Sequence, residues 1–226
     1  MSFIEQNTVA ATEQVVDIDN MCVVRRGGGK KILFIGNSIT RHGPKAEIGW
    51  EHDWGMAASA PEKDYVHQTV ALLEKHWGAV DYAFANFSKW EVNYWDDGVL
   101  KDCDAFLDFE PDIVVIRIGE NIWSRAVRDK LDEIDLYPHY DRMVKRFAQN
   151  GAKVILTDLF WPQEKIDSVI RRVAADNGYP LVHLGDLGVK DENKAIGLFA
   201  HSGVAAHPGD LGMKRMAERI VAVLLQ

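Results

Sequence analysis

The amino-acid sequence predicts a three-layer α/β/α domain built on about five parallel strands. Three observations lead there. Five short apolar runs recur with almost no polar alternation, which is how strands buried on both faces of a sheet read. Amphipathic helical patterns separate the runs. No internal repeat and no Pro/Gly/Ser-rich linker breaks the chain past residue 30, and 226 residues at 47% hydrophobic content suffice for one sizeable core.

Residues 1–30 read as a lead-in or edge hairpin, with an extended stretch at 15–24 followed by Arg25, Arg26 and three glycines at 27–29. Residues 31–226 form the domain. Its strands are expected at 32–35, 80–85, 113–118, 154–156 and 181–183, and its helices at 61–76, 99–107, 138–150, 162–177 and 210–225. The last helix gathers Met213, Met216, Ile220, Val223 and Leu224 on one side. Asn150-Gly151 and Asn177-Gly178 supply left-handed caps ahead of the next strands. In such a sheet ligands bind at the carboxyl ends of the strands, beside the switch in strand order. The loops to inspect therefore begin near Gly36, Asn86, Gly119, Asp158 and Gly185.

Composition removes several classes. With 26 Lys plus Arg against 34 Asp plus Glu the net charge is -8, which argues against a nucleic-acid partner. No apolar run approaches the roughly 18 residues of a membrane span. Residues 1–20 carry Glu5, Glu13, Asp17 and Asp19 in place of a basic start, so a cytoplasmic protein without a membrane partner is expected. Cys22 and Cys103 show no metal-ligand spacing and read as reduced, inert thiols. His42, His52 and Asp53 lack the paired spacing of a zinc site. The glycines at 27–29 with Lys30 and Lys31 precede the first strand, where a phosphate loop would follow it. No metal and no cofactor are expected, and the composition is compatible with a homo-oligomer.

Three residues at strand ends could do chemistry together. Ile35-Gly36-Asn37-Ser38 places a serine at the top of the first long strand, as a nucleophile or as an ordinary cap. Gly119-Glu120-Asn121 brings an Asn amide, a possible oxyanion donor, to the same edge. His207-Pro208 puts a histidine, a possible general base, just before the last helix, in the extended backbone that Pro208 imposes. Nucleophile, oxyanion donor and base from three loops are a far rarer conjunction than any one of them.

These blocks, in this order, resemble those of the SGNH hydrolases, also called the GDSL family, over about residues 30–226. The resemblance implies a flavodoxin-like domain that cleaves esters, with Ser38 as nucleophile and backbone oxyanion donor, Asn121 as side-chain oxyanion donor and His207 as base. Gly49-Trp50, the run from Asp53 to Ser59 and Lys63-Asp64-Tyr65 resemble a bacterial subgroup of that family. Two positions depart from the family pattern. Asn86 is followed by Phe87-Ser88-Lys89-Trp90-Glu91 without the glycine that would give a third oxyanion N–H, so that donor falls somewhere within 88–91. Val204 stands where an Asp would orient the histidine. Either a backbone carbonyl orients His207, leaving a Ser-His dyad, or one of Glu91, Glu120 and Asp210 does so from another loop.

Six of the seven tryptophans, Trp50, Trp54, Trp90, Trp95, Trp123 and Trp161, follow the first four strands. They either pack long loops or wall the site. On the second reading Trp50, Trp54, Trp90, Trp123 and Trp161 contact substrate, and flat aromatics favour a sugar ring over a lipid chain. The function expected is that of a serine esterase acting on small acyl esters, acetyl groups on carbohydrate foremost, through an acyl-enzyme on Ser38. An acyltransferase of the same chemistry and a non-catalytic carbohydrate-binding protein are the alternatives.

Overall fold

The computed structural model describes residues 21–125 and 127–226. Most of the expected lead-in, including the start of the extended stretch at 15–24, lies outside the described residues. Among those described, one sheet holds β1 (Cys22–Val24), β2 (Lys30–Gly36), β3 (Val80–Asn86), β4 (Ile113–Arg117), β5 (Lys153–Thr157) and β6 (Leu181–Val182), in the order β1-β3-β2-β4-β5-β6. Strands β2 to β6 are parallel. The expected five parallel strands are present, and β1 adds an antiparallel edge against β3 in place of a hairpin with β2.

Helices α1 (Tyr65–Trp77), α2 (Asp102–Leu107), α3 (Leu136–Ala148), α4 (Glu164–Asn177) and α5 (Asp210–Leu224) complete the layers. Successive residues of a strand point to opposite faces, so Ile113 and Val115 join the core under α1 and α5, while Val114 and Ile116 join the one under α2, α3 and α4. That double burial is why the strands show no polar alternation. Side chains such as Met213 and Ile220 of α5 are wholly buried, each worth about 1.5–3 kcal/mol relative to exposure.

Caps set the helix boundaries. The expected helix at 61–76 opens as a 3-10 turn, Pro61–Lys63, and becomes α-helical only at Tyr65, where the Asp64 carboxylate accepts the His67 N–H at 2.8 Å. Helix α3 starts before Pro138 because Asp135 accepts the Tyr137 N–H at 3.0 Å, and the missing N–H of Pro138 falls harmlessly in the first turn. Gly178, at φ 70°, closes α4 as its Asn-Gly pair foretells.

The order β3-β2-β4 places the switch point between β2 and β4. Glycines shape both strand ends there. A Cβ on Gly36 would lie 1.9 Å from Thr40 Oγ1 and 2.8 Å from the Arg117 carbonyl, so only glycine lets β2 turn this tightly beside β4. Gly119 adopts φ 144°, and a Cβ on it would strike Leu159 at 2.8 Å.

Candidate active site

In register, Gly36 pairs with Arg117, so the loops carrying Ser38 and Asn121 leave the sheet side by side. His207 comes from the far end of the chain. Its backbone is pinned by Ala195 N–H to the His207 carbonyl (2.9 Å) and by Gly209 N–H to the Asn193 carbonyl (3.0 Å). Ser38 Oγ lies 2.8 Å from His207 Nε2.

The other ring nitrogen answers the question that Val204 raises. His207 Nδ1 is 2.7 Å from the Gly203 carbonyl, which can only accept, so Nδ1 carries the proton and Nε2 is left to accept from the serine. That carbonyl is available because the single helical turn Ser202–Ala205 ends there: the Ala206 N–H bonds the Ser202 carbonyl at 2.9 Å, and the His207 N–H, which would otherwise close on Gly203, bonds Val204 at 3.0 Å. Val204 itself is 1% exposed and packs with Ile48, Trp50, Met56 and Ala195, surroundings that would strip a carboxylate of its water. The three candidate acids are engaged elsewhere. Asp210 accepts the Ser59 N–H and hydroxyl at 2.9 and 2.7 Å, Glu120 pairs with Arg117, and Glu91 holds Asn121.

Beneath the serine runs a buried polar network. Arg117, wholly buried, donates to both Glu120 oxygens at 2.6 and 3.0 Å and to Asn37 Oδ1 at 2.5 Å. Asn37 Nδ2 donates to Glu120 at 2.7 Å and to Glu91 at 3.0 Å. Glu91, equally buried, also accepts the Gly119 N–H and the Asn121 side-chain amide, each at 2.5 Å. Removing one partner of such a buried ion pair costs about 3–5 kcal/mol, so the pair of Arg117 and Glu120 stiffens the platform under Ser38.

Electrostatics follow from enclosure. Desolvation holds the His207 pKa well below its ordinary range, to about 3; the Gly203 carbonyl opposes this, and His42, Arg117 and His201 add to it. The imidazole therefore stays neutral into the acid range. Glu91 shifts the other way, raised to about 7 by burial and then by the charge of Glu120, against the hydrogen bonds from Asn121, Asn37 and Gly119.

Ser38, Asn121 and His207 open on a cavity of about 230 Å³. Ile48, Met56 and Val204 give it an apolar side. Of the tryptophans expected to contact substrate, Trp161 lines the cavity; its ring stands edge-on to His207 at 5.0 Å, and its Nε1 donates to the Ala206 carbonyl at 3.1 Å. Trp50 and Trp90 need correcting, while Trp54 and Trp123, partly exposed, are not among the residues that line this cavity. Trp50 and Trp90 are 0% exposed, Trp54 packs against Trp50 and stacks on His52, and Trp123 packs against the core under α3. For Trp50 and Trp90, burying a large apolar area outweighs presenting it to a ligand.

Within 88–91, Ser88 borders the cavity, while its own N–H is taken by Asn86 Oδ1 at 2.9 Å. Sequence reasoning passed over His201, which lines the cavity with Nδ1 accepting the Val204 N–H at 3.3 Å and its buried Nε2 unpartnered among the described residues. It also missed His42 as a wall residue. Neighbouring Asp53 pairs instead with Arg41. Among the described residues no group of three or more His, Cys, Asp or Glu side chains could hold a metal ion, and no helix is long and apolar enough to cross a membrane.

A family model described as the GDSL-like lipase/acylhydrolase family matches residues 34–215. No curated protein sequence is a significant match. Among solved structures, the chain is similar to a family 3 carbohydrate esterase from Clostridium thermocellum at 14% identity and a TM-score of 0.62, covering 87% of this chain and 95% of that one. It is similar also to the psychrotrophic esterase EstA from Pseudoalteromonas sp., at 16% identity and a TM-score of 0.58, covering 87% and 97%. A third, LAE5 from the metagenome of Lake Arreo, gives 20% identity and a TM-score of 0.57, covering 87% and 95%. At these identities the likeness is one of fold.

Proposed function

The chain belongs to the GDSL-like lipase/acylhydrolase family of carboxylic ester hydrolases, and from that premise we propose that it cleaves small acyl esters, acetyl esters of carbohydrates foremost, through an acyl-enzyme on Ser38. The observation that carries this reading is the 2.8 Å contact between Ser38 Oγ and His207 Nε2, in a histidine whose other nitrogen is tied to a carbonyl. A module that only binds sugar has no use for that tautomer. His207 takes the serine proton as Oγ attacks the ester carbonyl, and the oxyanion accepts from the Ser38 N–H and the Asn121 amide. His207 then returns the proton to the departing alcohol. Water, activated by the same nitrogen, releases the acid and restores the serine.

Cavity size supports a small acyl group. At about 230 Å³ it falls below the roughly 300–1,000 Å³ typical of pockets for drug-sized ligands. Ile48 and Met56 suit a methyl or short alkyl group, while Trp161 with His201 Nε2, unpartnered among the described residues, suits an alcohol that offers a flat face and hydroxyls. The expected result is that kcat/KM for p-nitrophenyl esters declines from acetate through butyrate to octanoate, and that acetylated sugars are deacetylated. A rate that rises toward octanoate would refute the small-acyl assignment.

Asn121→Ala should lower kcat about 10²- to 10³-fold, the usual loss for one oxyanion donor, with KM little changed. Steady-state kinetics on p-nitrophenyl acetate checks this, and an equal loss carried by KM alone would contradict the role.

A further inference from the structure

We infer that Glu91 is the positioning residue of the oxyanion hole, its carboxylate dictating which way the Asn121 amide faces. This rests on the reading of Asn121 as an oxyanion donor. The nitrogen and oxygen of an Asn amide are nearly isosteric, so hydrogen-bond partners alone decide the orientation. An ionised carboxylate can only accept. Glu91 Oε2 accepts from Asn121 Nδ2, while Oε1 accepts from the Gly119 N–H, the Asn37 amide and, at 3.3 Å, the Asn121 backbone N–H. The Asn121 oxygen therefore cannot turn toward Glu91. Nδ2 must, and its second proton is the one left for a ligand in the cavity that Asn121 lines.

Among the described residues the hydrogen-bond partners of Glu91 are all neutral N–H groups, although its side chain is wholly buried. A neutral acceptor would hold the loop without a buried charge to desolvate, but it would also carry donors of its own and could not dictate the amide's orientation. The ionisable groups acting on Glu91 are Glu120, just beyond β4, whose charge its partner Arg117 offsets only in part, and Tyr140 of α3, whose hydroxyl donates to the Ile118 carbonyl. Burial and Glu120 raise the Glu91 pKa to about 7. Protonation near neutrality puts a donor where four N–H groups need acceptors and frees the Asn121 amide to turn. His207, lowered to about 3, does not titrate there.

The test uses the full chain as wild type, Glu91→Gln, Asn121→Ala and the double variant, on p-nitrophenyl acetate. Gln keeps one acceptor oxygen but opposes an NH2 to Asn121 Nδ2, so Glu91→Gln should lower kcat about 10²-fold with KM little changed. In the Asn121→Ala background the same change should cost no more than about twofold. Wild-type kcat/KM should step down to a lower plateau as pH falls through about 7, and the step should vanish in Asn121→Ala. If Glu91→Gln does not fold, the two pH profiles decide alone, since neither protein is altered at Glu91. Equal costs of Glu91→Gln in both backgrounds, or a step that survives in Asn121→Ala, would overturn the inference. A Glu91→Gln enzyme at the wild-type rate beside an impaired Asn121→Ala overturns it alone, whereas Asn121→Ala at the wild-type rate overturns the reading of Asn121 as well.

Discussion

Ser38→Ala should lower kcat by about 10⁶-fold while leaving the fold intact, because a nucleophile that acts as a unit with its base carries nearly the whole of the covalent route. The structural cost is small. The hydroxyl bonds the His207 ring at the cavity wall, and the strand-end turn is held instead by backbone groups, the Met56 N–H on the Ser38 carbonyl at 2.9 Å and the Thr40 N–H on that of Asn37 at 2.9 Å. Thermal unfolding of the variant should stay within a few degrees of wild type, consistent with loss of one hydrogen bond worth about 1 kcal/mol. A variant that keeps more than a few per cent of wild-type kcat would mean that the serine is not the attacking group.

His207→Ala should bring a loss of the same order, and the Ser38→Ala, His207→Ala double variant should be no slower than either single one. Serine without its base is a poor nucleophile near neutral pH. With a carbonyl in place of a carboxylate, the imidazolium that forms during attack has weaker support, and in a well-studied triad the correct orienting partner is worth about 10⁴-fold. The Gly203 carbonyl secures the tautomer but adds no charge, and enclosure holds the histidine's pKa down to about 3. His207 is neutral and competent at every pH above that value, so its own protonation removes activity only in strong acid. Losses additive in the double variant would show that the two residues work separately.

Much of this architecture was legible in the chain because one physical requirement wrote it. Strands buried on both faces must be apolar throughout, so 32–35 and 113–118 stood out, and helix α4 ends at its Asn-Gly pair because a left-handed residue there favours glycine. Gly36, Asn37 and Ser38 were readable for a similar reason, since a glycine closing a buried strand marks a tight turn. Val204 announced a missing carboxylate but not its replacement, because a backbone carbonyl leaves no trace in side-chain identity. The bond between Glu91 and Asn121 spans 30 residues with no local pattern. Arg117 carries a signal of its own: a lone charge inside an apolar strand must find a partner, and Glu120 lies three residues on. The tryptophans misled because position after a strand gives no side-chain direction, and Trp50 and Trp90 turn inward.

The claim on which the rest depends is that Ser38, activated by His207, forms a covalent intermediate. Incubation of the wild-type chain with a fluorophosphonate, followed by intact mass and peptide mapping, tests it directly. One adduct per chain on the peptide containing Ser38, absent from Ser38→Ala and strongly slowed in His207→Ala, is the expected result. A chain that hydrolyses esters yet takes no adduct, or takes it at another residue, would contradict it.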